Sequence, residues 1–192
     1  MRRKTFDALL TSAGAVLALV LLVAGGLLLW SSSYTHHQVS DQLAAQQIYF
    51  PAAGSDSIND PAVKPHLEQY AGQQLTTGVQ AQAYADHFIQ VHLNEMTQGR
   101  TYAQVSADAM ASPTDAKKAE LVQTVFRGTT LRSMLLSAYA FDTIATVLFW
   151  GGLVSMLGAL LLLILVGLGA RHLRRASDTA DLRIGHAAPI VA

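Results

Sequence analysis

Two long uncharged stretches, one near each end, limit what this chain can fold into. The first, "ALLTSAGAVLALVLLVAGGLLLW", runs from Ala8 to Trp30 with no charged side chain in 23 residues. The second is uncharged from Thr143 to Ala170, 28 residues. A helix needs roughly 20 apolar residues to cross about 30 Å of hydrocarbon at about 1.5 Å per residue. Both stretches are long enough, so the chain is expected to pass twice through a bilayer. Only 14% of its 192 residues are charged, against about 25% in an average soluble domain.

The first stretch follows "MRRK", which raises a cleaved signal peptide as the alternative. Its apolar run exceeds the usual length of about 7–15 residues, and "WSSSYTHH" offers no A-x-A cleavage site, so an uncleaved anchor is expected. Arg2, Arg3 and Lys4 precede the first span, and Arg171, Arg174 and Arg175 follow the second. Residues 31–142 hold six Lys/Arg against ten Asp/Glu. By the positive-inside rule both termini are cytoplasmic and the centre lies outside. Gly151, just after Trp150, is the twentieth residue before Arg171, and Trp30 occupies the matching end of the first span. Two tryptophans at one level read as an interfacial belt. Residues 131–149 then continue the second helix above the membrane, which keeps Asp142 out of lipid.

The expected division is a cytoplasmic N-terminus (1–7), a first transmembrane helix (8–30), an extracytoplasmic helical domain (31–149), a second transmembrane helix (150–170) and a cytoplasmic tail (171–192). The fold class is an all-α protein of the cytoplasmic membrane, with its second transmembrane helix extended outside. Formal net charge is zero, which leaves no global electrostatic case for nucleic acid. The absence of cysteine excludes disulfides, thiolate zinc sites, iron–sulfur clusters and thiol nucleophiles.

Between the spans, helix punctuation replaces strand alternation. "SDQLAAQQIYF" opens with Ser40 as a possible N-cap and stops before Pro51, and "PAAGSDSINDP" reads as a loop. "PAVKP" is a turn leading into a helix over "PHLEQYAGQQL". Thr77 caps a helix that Gly99 ends, and Thr101 with Gln104 forms a capping box opening a short helix towards Met110. In "SPTD", Ser112 caps, Pro113 takes the first helical position and Asp115 the third. From there one long helix is expected to run into the membrane, with Gly128 its only interruption. This makes an outer bundle of about four or five helices.

In the second span Gly151, Ser155 and Ala159 recur every four residues, as do Gly14 and Ala18 in the first. Small residues at this spacing permit close helix contact, either between the two spans or with partner subunits or further copies of the chain. Neither span contains an ionisable side chain, which argues against a solitary pump or carrier.

Chemistry concentrates in "AYADHFIQVHLNEM", residues 83–96. At about 100° per residue His92 falls near the middle of an apolar arc of Tyr84, Ala85, Phe88, Ile89, Leu93 and Met96. His87 falls on the polar side. Five residues apart, the two histidines do not chelate one ion from a single helix, unlike the i, i+4 pair of a zinc protease. His92 and Glu95, three apart, can meet. They are either a core histidine satisfied by a carboxylate, a pH-sensitive pair, or two metal ligands completed by His66. His36 and His37 read as part of a solvated linker, with metal or lipid headgroups as alternatives. Arg127 and Arg132 belong to a salt-bridged face or to a site for acidic lipid or a partner carboxylate, and "RRAS", ending at Ser177, is a weak kinase pattern. No recognised catalytic or nucleotide-binding motif is present and no cofactor is expected.

The stretches "YAGQQLTTGVQAQAYADHFIQVHLNEMTQGRTYAQVSA" and "FRGTTLRSMLLSAYAF" resemble those of two-pass membrane proteins predicted in actinobacterial genomes. With both spans included the resemblance covers most of the chain. It implies a setting, the cytoplasmic membrane of a high-GC Gram-positive bacterium, and it carries over no functional residue. The function expected is that of a non-enzymatic accessory or assembly subunit of a membrane complex, acting through its outer domain. The alternative is a sensor or carrier of a small ligand or metal.

Overall fold

A computed structural model describes residues 3–175. Helix α1 (Arg3–Ala45) is followed by the single-turn helices α2 (Asp56–Asn59) and α3 (Lys64–Leu67), the latter running into a 3₁₀ turn at Glu68–Tyr70. Next come α4 (Gly78–Tyr84), a π turn (Ala85–Ile89) and α5 (Gln90–Thr97), then α6 (Tyr102–Met110) and the 58-residue α7 (Ala116–Leu173). Among the described residues the only β pairing is an isolated antiparallel bridge between Tyr49 and Gln74. Helices α1 and α7 are long and apolar enough to cross a membrane. Their most apolar 18-residue windows reach mean hydropathy 2.5 and 2.6, yet only 11% and 6% of those windows are buried. The core helix of a soluble protein would be mostly covered, so this exposure favours lipid as the surrounding medium.

Several local signals act as the sequence suggests. Thr77 and Thr101 both close capping boxes, with Gln80 and Gln104 respectively. Gln98 and Gly99 turn left-handed to end α5, at φ 56° and 76°. Other signals are overridden. Ser40 starts no helix, because α1 continues unbroken from Arg3 to Ala45. His36 and His37 are therefore helical rather than part of a linker. Asp115, not Ser112, caps α7, its Oδ1 accepting from the backbone N–H of Lys117 and Lys118. The helix expected over 65–75 lasts only to Tyr70, since the chain then pairs as an edge: Leu75 N–H donates to Ile48 O and Phe50 N–H to Gln73 O, both at 2.9 Å. Gly128 does not interrupt α7. A Cβ there would lie 2.7 Å from Leu93 Cδ2, so the glycine makes room for α5.

The chain divides into two compact units, residues 1–31 with 148–192, and residues 32–147. In the first, α1 and α7 pack through small side chains. Ala18 and Ala159 are fully buried. A Cβ on Gly25 would sit 3.0 Å from Met156 and 3.2 Å from Gly152 O, and one on Gly152 would sit 3.1 Å from the Leu29 backbone nitrogen. The two helix backbones touch here, and only glycine allows it. Trp30 and Trp150 are both exposed.

In the second unit Val39 and Leu43 of α1, with Val125 and Leu135 of α7, form one side of a buried core. Phe50, Ile58, Val63, Leu67, Leu75 and the inner row of α4–α5 complete it. Phe50 holds the loops to α4 by ring contacts with Tyr70 at 5.2 Å and, edge-on, with Tyr84 at 5.3 Å.

Candidate functional site

The segment from Thr77 to Thr97 positions most of the polar chemistry. Gln80 N–H donates to Thr77 Oγ1, while Gln80 Oε1 accepts from the N–H groups of Thr76 and Thr77. The π turn at Ala85–Ile89 then admits one extra residue. Ala81, Ala85, Ile89, Leu93 and Thr97 are all buried, every fourth residue. On a uniform α-helix such a row drifts by about 40° per step, and the wider π turn takes up much of that drift. This is why equal angular steps misplace the histidines. The apolar arc is not centred on His92, which is half-buried at the edge of the core row.

His92 Nδ1–H donates to the Phe88 carbonyl at 2.7 Å, and its ring leans on Phe88 with centroids 4.4 Å apart. Glu95 is exposed, and among the described residues no hydrogen bond or ion pair joins it to His92. The backbone, not the carboxylate, satisfies this imidazole. His66, on α3, lies against His87 of the π turn: the rings are 7° from parallel with centroids 3.6 Å apart. His66, His87, Gln69, Tyr70 and Gln82 help line a cleft of about 270 Å³. Burial lowers the His87 pKa, the His66 ring adds to the lowering, and the Asp86 carboxylate opposes it.

Parallel imidazoles hold their lone pairs in parallel planes. In this arrangement they do not converge on one ion at the usual distance of about 2.0–2.1 Å. Among the described residues no group of three or more His, Asp or Glu is placed to hold a metal ion. His66, His92 and Glu95 are thus not brought together.

Charged pairs lie around this segment. Arg132 Nη2 donates to Asp86 Oδ1 at 2.6 Å, tying α7 to the π turn, while Arg132 Nε is buried without a partner among the described residues. Arg127 is exposed. Asp108 accepts from Lys118 Nζ at 3.0 Å and from Arg100 Nη1 at 3.2 Å, and these two cations hold its carboxyl below the usual range.

Between the two long helices, His36 Nδ1 of α1 meets Asp142 Oδ1, near the middle of α7, at 2.8 Å. The Asp142 side chain also abuts Gly78 at the start of α4, where a Cβ would overlap it. Ser32 Oγ donates to the Ala145 carbonyl at 2.7 Å, with Ser32 2% exposed. Sequence reasoning missed the His36–Asp142 pair. The signal was present: each is the first imidazole or formal charge beyond a 28-residue uncharged run, 8–35 or 143–170.

The small residues expected to mediate helix contact fall into two groups. Ala18 and Ala159 are fully buried between the spans, and Gly14 faces Val166. Ser155 is half-buried, and Gly151 is exposed with only an ordinary contact to Leu28. The close approach belongs to Gly152. Ser177 lies outside the described residues.

A second concavity in the 32–147 unit is apolar. Val39, Leu43, Ile48, Leu131, Met134 and Leu135 line a groove of about 290 Å³ whose rim carries Gln42 and Gln46. Elsewhere on the unit α7 exposes Phe126, whose ring packs on Tyr102 at 5.8 Å, and Phe141.

These features define an all-helical chain with two helices fit to span a membrane and a separate helical unit carrying a polar cleft and an apolar groove. Comparison with protein families, curated proteins and solved structures finds no match to this chain.

Proposed function

We propose that this is a non-enzymatic two-pass protein of the cytoplasmic membrane, both termini cytoplasmic, whose extracytoplasmic helical domain binds another protein. It serves as an accessory or assembly subunit of a membrane complex. The observation that carries this reading is the apolar surface of the 32–147 unit. Met134 is 65% exposed, Phe141 58% and Phe126 50%, and Met134 also lines the groove. Large apolar side chains exposed around an apolar groove support an interaction surface, and methionine adapts to a partner's shape. The polar histidine cleft supports the alternative, a sensor of a small extracytoplasmic ligand. The resemblance to two-pass actinobacterial proteins supports the membrane of such a bacterium as its setting.

Purification of the full chain in mild detergent, followed by mass spectrometry, tests the first reading. A stoichiometric partner is expected, and Met134→Glu with Phe126→Glu should release it. Recovery as a clean monomer or simple homo-oligomer would count heavily against the idea. Saturable binding of a small ligand, abolished by His87→Ala, would favour the alternative.

A further inference from the structure

The cleft of about 270 Å³ beside the stacked imidazoles presents polar groups that the fold itself does not use. Among the described residues no hydrogen bond engages the ring nitrogens of His66 or His87, the side-chain amide of Gln82 or the hydroxyl of Tyr70. Gln69 Nε2 only bends back to the His66 carbonyl, at 3.5 Å. Val79 and Ala83 supply an apolar wall.

No carboxylate, lysine or arginine lines the cleft among the described residues. The charged groups of the flanking elements have partners of their own. Lys64 Nζ of α3 lies 3.7 Å from Glu68 Oε1, and Asp86 of the π turn is held by Arg132 of α7 at 2.6 Å. Any charge the cleft itself acquires is therefore an imidazolium.

Rings with centroids 3.6 Å apart resist carrying two protons, so the pair takes one and opposes the second. Burial and then the His66 ring lower the His87 pKa, and the Asp86 carboxylate opposes that lowering. An anion in the cleft acts the other way: it offsets the repulsion and draws a proton onto the pair. One positive charge beside the Gln82 amide and the Tyr70 hydroxyl matches one carboxylate, since charge-assisted hydrogen bonds to carboxylate oxygens are the strong ones. A cation is disfavoured, because the parallel rings do not converge on one ion.

We propose that this cleft is a binding site for a small carboxylate-bearing solute, seated against His66, His87 and Gln82, which draws a proton from solvent onto the imidazole pair as it binds. The proposal rests on the small-ligand reading given above as the alternative, and it is independent of any protein partner.

The test follows the histidine ring resonances of the full chain in mild detergent, labelled with nitrogen-15 histidine. Acetate is the probe, and acetamide, of the same shape without the charge, is its control. Acetate should shift the His66 and His87 resonances saturably, while His37, exposed on α1 and outside the cleft, should not respond. Uptake of one proton requires acetate affinity to rise about tenfold per pH unit as pH falls towards the pair's own titration, and to level off below it. His66→Phe with His87→Phe keeps two rings without a titrating group and should abolish binding, with circular dichroism checking the fold. Gln82→Leu should weaken binding roughly tenfold, the value of one hydrogen bond to a charged group, and leave the pH slope intact. Affinity that stays level from pH 7.5 to 5.5, or acetate binding that survives the double substitution, would overturn the proposal. Equal binding of acetamide would leave a ligand cleft but overturn its carboxylate class. No response to either probe would overturn the small-ligand reading as well.

Discussion

His36 and Asp142 meet at 2.8 Å, each closing a run of 28 residues without an imidazole or formal charge. Such a run measures about 42 Å along a helix, close to the thickness of roughly 40–45 Å for a bilayer with its headgroups. The pair therefore suits the edge of the bilayer, where a carboxylate and an imidazole satisfy each other by a hydrogen bond beside a region hostile to both. Asp142 is 19% exposed and His36 41%, so their interaction is partly screened. A double-mutant cycle with His36→Ala and Asp142→Ala should give a coupling of about 1 kcal/mol at neutral pH. Additive single effects would show that the contact contributes nothing.

Gly78 accommodates the Asp142 side chain at the first turn of α4. Gly78→Ala should destabilise the 32–147 unit by about 1–3 kcal/mol, the usual cost of overpacking. Thermal unfolding followed by circular dichroism is the measurement. An unchanged or raised midpoint would mean that α4 does not approach α7 so closely.

Gly151 and Gly152 are adjacent but unequal. A Cβ on Gly152 would press on Leu29 Cγ at 2.7 Å, whereas one on Gly151 would make an ordinary 3.8 Å contact with Leu28. Gly151→Ala should leave stability in detergent unchanged or slightly improved, because glycine within a helix costs about 0.5–1 kcal/mol relative to alanine. Gly152→Ala should lower it by at least about 1 kcal/mol. The reverse ranking would place the helix contact on the other face.

Acid should weaken the 32–147 unit through the stacked histidines. The folded state holds the His87 pKa below its ordinary value of 6.5, so it favours the neutral ring. The stabilisation is complete above the unfolded value and is lost as pH falls from about 6.5 through the lower folded value. Asp108, held below the usual carboxylate range by Lys118 and Arg100, titrates outside that window. Unfolding midpoints measured from pH 7.5 to 5 should decline, and His87→Phe, which keeps a ring on His66 without a titrating group, should flatten the decline. An identical slope in the variant would assign the pH dependence elsewhere.

The two apolar runs, the arginines beyond them and the capping boxes at Thr77 and Thr101 were legible in the sequence because each acts over one helix or one turn. Lipid compatibility depends on local composition, and a capping box involves residues three apart, so no distant contact is needed to read either. The seam between α1 and α7 was only half legible. Small residues were visible at a spacing of four, but within the first unit the buried positions lie seven apart, at Ala18 and Gly25 and at Gly152 and Ala159. A seven-residue spacing keeps a contact line in register along paired helices, whereas a four-residue spacing walks off it. Which of Gly151 and Gly152 faces inward was decided by the packing partner.

The histidines show the same division more sharply. Their identities and helical setting belong to the sequence. A π turn shifts everything after Ala85 relative to a uniform helix, and it is held by tertiary contacts such as Arg132 with Asp86. Equal angular steps paired His92 with Glu95. The folded chain gives His92 to the Phe88 carbonyl, His87 to His66, and Asp142 to His36. Each of these last two pairs joins separate helices, so only the tertiary structure could decide them.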